Sequence, residues 1–297
     1  MRPVVVALGN FDGVHLGHQV VMRRAVEEGR ERGLGAVAAV FDPHPREVLW
    51  SGGEPKLLTS LEVRRELLIN CGVDEVRAIR FDRDLSKKSP GEFVREVLIG
   101  ELDAAVVVVG ENFRFGYRAS GDVEALKRYM REAGGDAYAV PISGALGEDI
   151  SSTRIRKLIA GGEVREAARL LGRPYLLRGE VVKGDRRGRT LGFPTANVLP
   201  DKRALVPGYG VYAGHVRVGR KYFGACTNVG MAPTFERRES KVEAHLLDYG
   251  GDLYGEVVDV TFVERLRPEK RFSGLEELKD QIARDVEEAR RIVGEGA

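Results

Sequence analysis

The first half of the chain alternates between two hydrophobic rhythms. Val4–Leu8 is a continuous apolar, largely β-branched run, the pattern of a strand buried on both faces. Gly17–Arg32 then carries Val20, Val21 and Ala25 at helical spacing and stops at Gly33. The alternation continues through strand Ala36–Phe41, helix Leu61–Cys71 closed by Gly72, strand Glu75–Phe81 and helix Pro90–Ile99. Strand Ala104–Val109, helix Val123–Ala133 stopped by Gly134 and Gly135, and strand Ala137–Pro141 complete it. Strands that take turns with helices and run apolar throughout predict a parallel sheet covered on both faces. Two short helices follow, Thr153–Ala160 and Val164–Leu171, before Gly172, Arg173 and Pro174 end the helical pattern.

From Tyr175 the rhythm changes. Leu176–Val182, Val211–Val218, Lys221–Thr227, Lys241–Leu247 and Val257–Leu266 alternate or run apolar, with Gly and Pro between them and no helices. That predicts an antiparallel sheet or a small barrel. An amphipathic helix over Leu275–Ile292 closes the chain. The expected class is therefore α/β followed by mainly β, with one domain over residues 1–172 and a second over 173–297. A length of 297 residues suits two domains.

Charge and cysteine content narrow the setting. A net charge of only +2 gives no electrostatic reason to expect nucleic acid or an acidic membrane as a partner. No apolar stretch approaches the roughly 20 residues of a membrane span, and the N-terminus does not read as a signal peptide. Cys71 and Cys226 lie in different predicted domains, so a disulfide is not expected and both read as buried thiols. The expected compartment is the reducing cytoplasm.

The chemistry of the first half collects after its first strand. Ligands of open parallel sheets bind beyond the carboxyl ends of the strands, and there the chain reads Gly9, Asn10, Phe11, Asp12, Gly13, Val14, His15, Leu16, Gly17, His18. Gly9 and Gly13 permit tight turns and close backbone approach. His15 and His18 are three apart and share one side of a helical turn, with Gly17 leaving room for a ring or ribose. Two imidazoles beside helix N-terminal N–H groups suit a phosphate. Zinc lacks further ligands here. At the far end of the domain, Ser151, Ser152, Thr153, Arg154, Ile155 and Arg156 put hydroxyls and arginines at a helix start; on the residues alone this could equally be an ordinary N-cap.

The two stretches together resemble the paired signatures of the nucleotidyltransferase superfamily. The resemblance implies that His15 and His18 stabilise the α-phosphate under attack and that Ser152, Thr153 and Arg156 hold the β- and γ-phosphates, with Gly9, Phe11, Asp12 and Gly17 in the nucleotide site. Phe41-Asp42-Pro43-His44-Pro45 and Val109–Gly116 are similar to the FAD synthetase branch, which implies that Asn112 lies over the flavin nucleotide. The implied reaction is in-line attack of the FMN phosphate on the α-phosphorus of ATP, expelling pyrophosphate.

In the second half, Lys183–Asn197 is rich in Gly and Arg. It suits a loop around polyphosphate, or a solvated basic loop followed by a polar strand; no P-loop pattern is present. Thr195 and Asn197 offer neutral oxygens to Mg²⁺. Pro194-Thr195-Ala196-Asn197 resembles the hallmark of riboflavin kinases, and Pro207–Ala213, Asn228–Gly230, Pro233–Phe235, Asp252–Gly255 and Leu266–Phe272 agree. The resemblance implies a six-stranded barrel, ATP as co-substrate, phosphate contacts from Gly184, Gly188 and Arg189, and Glu243 as the base that takes the riboflavin 5′-hydroxyl proton. On a strand Glu243 shares a face with His245; the residues alone favour an outward Glu on a half-exposed strand, the resemblance implies an inward carboxylate, and His245 is expected to be structural. Arg189, where many relatives carry Lys, and Met231-Ala232, where a basic residue is common, depart from the family pattern. The whole chain thus looks like the bifunctional bacterial enzymes that act on riboflavin, FMN and ATP. Loss of one activity, or a flavin sensor without turnover, is the rival reading; retention of Glu243, His15 and His18 argues against both. The oligomeric state is not legible.

Overall fold

The computed structural model describes residues 2–49, 56–142, 150–184, 192–233 and 238–294. Gly188 and Arg189 lie outside them. Two compact units divide the chain: residues Met1–Pro55 with Ser60–Ser152, and Lys56–Thr59 with Thr153–Ala297.

The first unit is a five-stranded parallel sheet in the order β3-β2-β1-β4-β5. Its strands are β1 (Val4–Leu8), β2 (Gly35–Asp42), β3 (Glu75–Arg80), β4 (Ala104–Gly110) and β5 (Asp136–Val140). The helices are α1 (Leu16–Arg32), α2 (Pro45–Leu49), α3 (Leu61–Asn70), α4 (Pro90–Glu92) and α5 (Val123–Glu132). After α4 the chain continues as a wider π-helical stretch, Phe93–Glu101. Alternate residues of the central strands feed two separate cores, as a doubly covered sheet requires. Val4, Val6, Leu8, Val107 and Val109 pack with Phe93, Leu98, Leu126 and Met130 on one side; Val5, Ala7, Val106 and Val108 pack with Val21, Met22 and Leu68 on the other. Helix ends follow local chemistry. Ser60 Oγ accepts from the Val63 N–H to start α3, and Gly33, at φ 67°, ends α1 in the left-handed region that glycine tolerates.

The second unit holds α6 (Ser152–Gly161, all but its first residue), α7 (Val164–Leu171) and a closed antiparallel barrel in the order β10-β7-β6-β11-β8-β9. The strands are β6 (Tyr175–Val182), β7 (Ala196–Pro200), β8 (Gly210–Val218), β9 (Lys221–Pro233), β10 (Arg238–Leu246) and β11 (Val257–Arg267). Tyr175, Tyr212 and Phe262 form an aromatic group in its core. Helix α8 (Leu275–Gly294) lies on the outside, with Val286, Ala289 and Val293 against Val211, Ala213, Cys226 and Leu247. The fold is the expected one. Strand β7 was not picked out by its hydrophobic pattern, because Ala196–Pro200 mixes Asn and Pro with only two larger apolar side chains, Val198 and Leu199.

Candidate active sites

In the first unit the glycine–histidine loop leaves the carboxyl end of the central strand β1. His15 is 3% exposed and is the N-cap of α1, its Nδ1 accepting from the His18 N–H at 3.3 Å. Accepting at Nδ1 leaves Nε2 as the ring's protonated nitrogen, a donor. The two imidazoles stack with centroids 3.5 Å apart and planes 19° apart, and Phe11 meets His18 edge-on at 5.3 Å. Phe11 in turn rests where a side chain on Gly9 would stand: a Cβ there would lie 2.8 Å from its ring. The space above Gly17 is not open. A Cβ on Gly17 would overlap Ile142 Cγ2 and lie 3.2 Å from the His15 ring, so the room expected for a ribose is filled by the protein's own side chain.

Ser152 belongs to this loop: its Oγ donates to the Asp12 carbonyl at 2.9 Å, joining the two ends of the domain across 140 positions. It is thus not an ordinary cap of its own helix. Thr153 and Arg156 fall in the second unit, where Arg156 Nε donates to the Lys56 carbonyl at 2.9 Å. Asn112 is exposed in the loop after β4. Its aromatic neighbours are structural in part, since Phe115 belongs to the core and stacks with Phe113. A groove of about 460 Å³ lies between α2 and the short turns at Leu85–Lys87 and Tyr117–Ala119, with Leu49, Lys87 and Tyr117 in its lining.

In the second unit two cavities of about 420 Å³ each share Thr195. One is lined by Pro194–Asn197 and the Tyr249–Tyr254 loop. The other is a groove between barrel and α8, floored by Glu243, His245 and Asn228 and walled by Ile282 and Val286. Glu243 therefore points out of the barrel, not into it; the inward positions of β10 are Val242, Ala244 and Leu246, all buried. The shared face with His245 stands, but the barrel lumen is filled by apolar side chains and α8 creates the second cover. Across the sheet Glu243 pairs in register with Asn197 on β7 and Asn228 on β9. Lys241 Nζ lies 3.1 Å from Glu243 Oε1. His245 Nδ1 bonds the Pro194 carbonyl at 2.8 Å and its ring meets Phe193 edge-on, which holds the stretch leading to Thr195.

Gly184 sits against Asn197, whose amide occupies the place of a Cβ. Asn197 Oδ1 is buried and takes no hydrogen bond among the described residues. Sequence reasoning gave no role to Lys241, Arg267 or Asp285, all of which line the groove. Arg267 and Asp285 form a fork, Nε at 3.0 Å and Nη2 at 2.7 Å from Asp285 Oδ2. Their 18-residue separation carried no signal, because the contact exists only once α8 folds back onto the barrel.

A parallel-sheet nucleotide unit followed by a barrel with a carboxylate on the floor of one cavity, and Thr195 lining that cavity and a second, defines a transferase of phosphorus-containing groups with two active centres. Comparison with known proteins then fixes the family. FAD synthetase matches residues 1–154 and riboflavin kinase residues 171–293. The Escherichia coli (strain K12) bifunctional riboflavin kinase/FMN adenylyltransferase is 40% identical over 291 residues, 98% of this chain and 93% of that one. The Bacillus subtilis (strain 168) protein of the same description is 38% identical, over 97% and 92%. The chain belongs to the bifunctional riboflavin kinase/FMN adenylyltransferases. It phosphorylates riboflavin to FMN and adenylylates FMN to FAD, using ATP in both steps. A solved structure described as a macrolide-efflux protein from Streptococcus pneumoniae matches with TM-score 0.89 and 34% identity, over 97% of this chain and 94% of that one. Efflux is said of that protein; among the described residues here no helix is long and apolar enough to cross a membrane.

Proposed function

We propose that the kinase step runs at Thr195, and that its place in the lining of both cavities is the observation on which the kinase roles rest. Riboflavin occupies the groove under α8, and ATP the cavity lined by Pro194–Asn197 and the Tyr249–Tyr254 loop. The 5′-hydroxyl oxygen attacks the γ-phosphorus, the bond to the ADP oxygen breaks, and Glu243 accepts the proton. Gly184, Gly188 and Arg189 are assigned to the phosphates. Thr195 and the buried Asn197 Oδ1, without a hydrogen-bond partner among the described residues, fit Mg²⁺, a hard cation that takes neutral oxygens. That ion, when bound, neutralises charge on the triphosphate.

Adenylylation is assigned to the β1–α1 loop. An FMN phosphate oxygen attacks the α-phosphorus of ATP and pyrophosphate leaves. His15, donating through Nε2, and His18 stabilise the charge that builds on the α-phosphate; Gly9, Phe11, Asp12 and Gly17 shape the loop. Ser152, Thr153 and Arg156 serve the outgoing phosphates, and Asn112 the flavin. The two activities divide at residues 172 and 173, in keeping with family matches that end at 154 and resume at 171. Two free cysteines are in keeping with a cytoplasmic setting.

Riboflavin, ATP and Mg²⁺ incubated with the full chain, with flavins separated by chromatography, test these roles. Glu243→Gln is expected to lose about 10²–10⁴-fold in FMN formation while still converting supplied FMN to FAD. His15→Ala is expected to lose about 10²–10³-fold in FAD formation while still making FMN. Normal FMN output from the first variant, or normal FAD output from the second, refutes the corresponding role.

A further inference from the structure

We infer that Arg64 is a positioning residue for adenylylation, its buried guanidinium holding the β1–α1 loop in the strained shape that sets the His15–His18 stack. The inference rests on the reading of that loop as the adenylylation site. Phe11 (φ 48°), Gly13 (φ 87°) and Val14 (φ 42°) all have left-handed backbone. Gly13 adopts it freely, but a phenylalanine and a β-branched valine do not, and such strain persists only where the surroundings over-determine it.

The surroundings can be named. Phe11 and Val14 are 3% and 1% exposed. Gln19 Nε2 donates to the Val14 carbonyl at 3.1 Å, and Ser152 Oγ to the Asp12 carbonyl at 2.9 Å. A further grip comes from a different element. Arg64, from the first turn of α3, is 3% exposed; Nη1 donates to the Asn10 carbonyl at 3.0 Å and Nη2 to Asp12 Oδ1 at 3.4 Å. One planar fork therefore holds the loop on both sides of Phe11, and Phe11 carries the constraint to the His18 ring that it meets edge-on. Lysine, a point charge on a flexible stem, cannot span two such acceptors in a fixed geometry. The guanidinium also neutralises Asp12, which is only 1% exposed.

The test uses full-length Arg64→Ala and Arg64→Lys, with FMN adenylylation and riboflavin phosphorylation measured on the same preparations. Misplacing a reactive group by about 1 Å costs on the order of 10²-fold, so kcat for FAD formation should fall by about that much in both variants. KM for ATP and FMN should move little, kinase turnover should stay at the parent level, and guanidinium ion added to Arg64→Ala should restore part of kcat. Parent-like FAD formation in either variant overturns the inference. So does a deficit that guanidinium leaves unchanged, since that marks general loss of packing. If Arg64→Ala fails to fold, Arg64→Lys, which keeps the charge beside Asp12, decides alone: a kcat loss at unchanged KM supports the inference and parent-like FAD formation overturns it. His15→Ala run alongside separates the two levels. If it makes FAD normally, the loop is not the site; if it is inactive while the Arg64 variants are normal, only the role of Arg64 falls.

Discussion

Removing the Asp285 carboxylate should both loosen α8 and weaken riboflavin binding. Asp285 is 6% exposed and accepts from Arg267 and from Gln281 Nε2, the latter at 2.9 Å. It joins the helix to the end of β11 at the wall of the groove that holds Glu243. Breaking a buried ion pair from one side costs about 3–5 kcal/mol, because the other charge is left unpaired. Arg267 keeps 19% of its side chain exposed and also donates through Nη1 to the Pro268 carbonyl. The low end applies, so Asp285→Ala should lose about 3 kcal/mol. In a unit of this size that lowers its melting temperature by roughly 10 °C. Replacing both partners with apolar residues of similar volume is about neutral, so Asp285→Leu with Arg267→Met should recover most of the stability without recovering KM for riboflavin. Urea unfolding of the three proteins, with kinase kinetics on each, checks both halves. A single variant as stable as the parent, or a double variant no better than the single, would refute the clamp.

Two further outcomes follow from close contacts and burial. Gly17→Ala should reduce FAD formation although alanine favours a helix by about 1 kcal/mol, because its Cβ meets Ile142; Ile142→Ala in the same chain should restore activity, and failure of that suppression would mean the overlap is not the cause. Burial first, and then the Asp285 charge, push the Cys226 thiol up to about 12. A thiol raised in the folded state binds its proton more tightly there than when unfolded. Its contribution is therefore intact below about pH 9 and is lost as pH climbs toward 12. Stability-versus-pH curves of parent and Cys226→Ala should diverge only in that alkaline window, and parallel curves would count against it.

Much of the fold was legible because each signal was local. The continuous apolar run Val4–Leu8 and the Gly33 stop mark β1 and the end of α1 without any reference to the rest of the chain. The chemistry-bearing stretches were legible for the same reason: Gly9–His18 and Pro194–Asn197 are contiguous. What escaped depends on long-range geometry. The outward direction of Glu243 requires knowing that α8 covers that face of β10, and strand alternation cannot tell the two faces of a barrel apart when both are covered. Arg64 reads as one polar residue on a helix; only the approach of α3 to a loop 52 positions earlier gives it a role. Ser152 reads as a cap until the fold presents it to Asp12.

The glycines of the two sites make the same point in a sharper form. From sequence, a glycine beside catalytic groups suggests empty space for a ligand. Here the space is used from within: Phe11 lies over Gly9, Ile142 over Gly17 and the Asn197 amide over Gly184. In each pair a single Cβ on the glycine would displace that side chain, and in two of the three the side chain so placed is itself a candidate for binding or shaping the site. The glycine then fixes where a functional side chain can stand, and its effect on substrate is indirect. That reading distinguishes two kinds of variant. At Gly17 a second substitution can make room, because Ile142 only fills space. At Gly184 no such suppressor should exist, because the group that would have to move is the Asn197 amide, whose oxygen, without a partner among the described residues, is the feature that suits it to a metal ion.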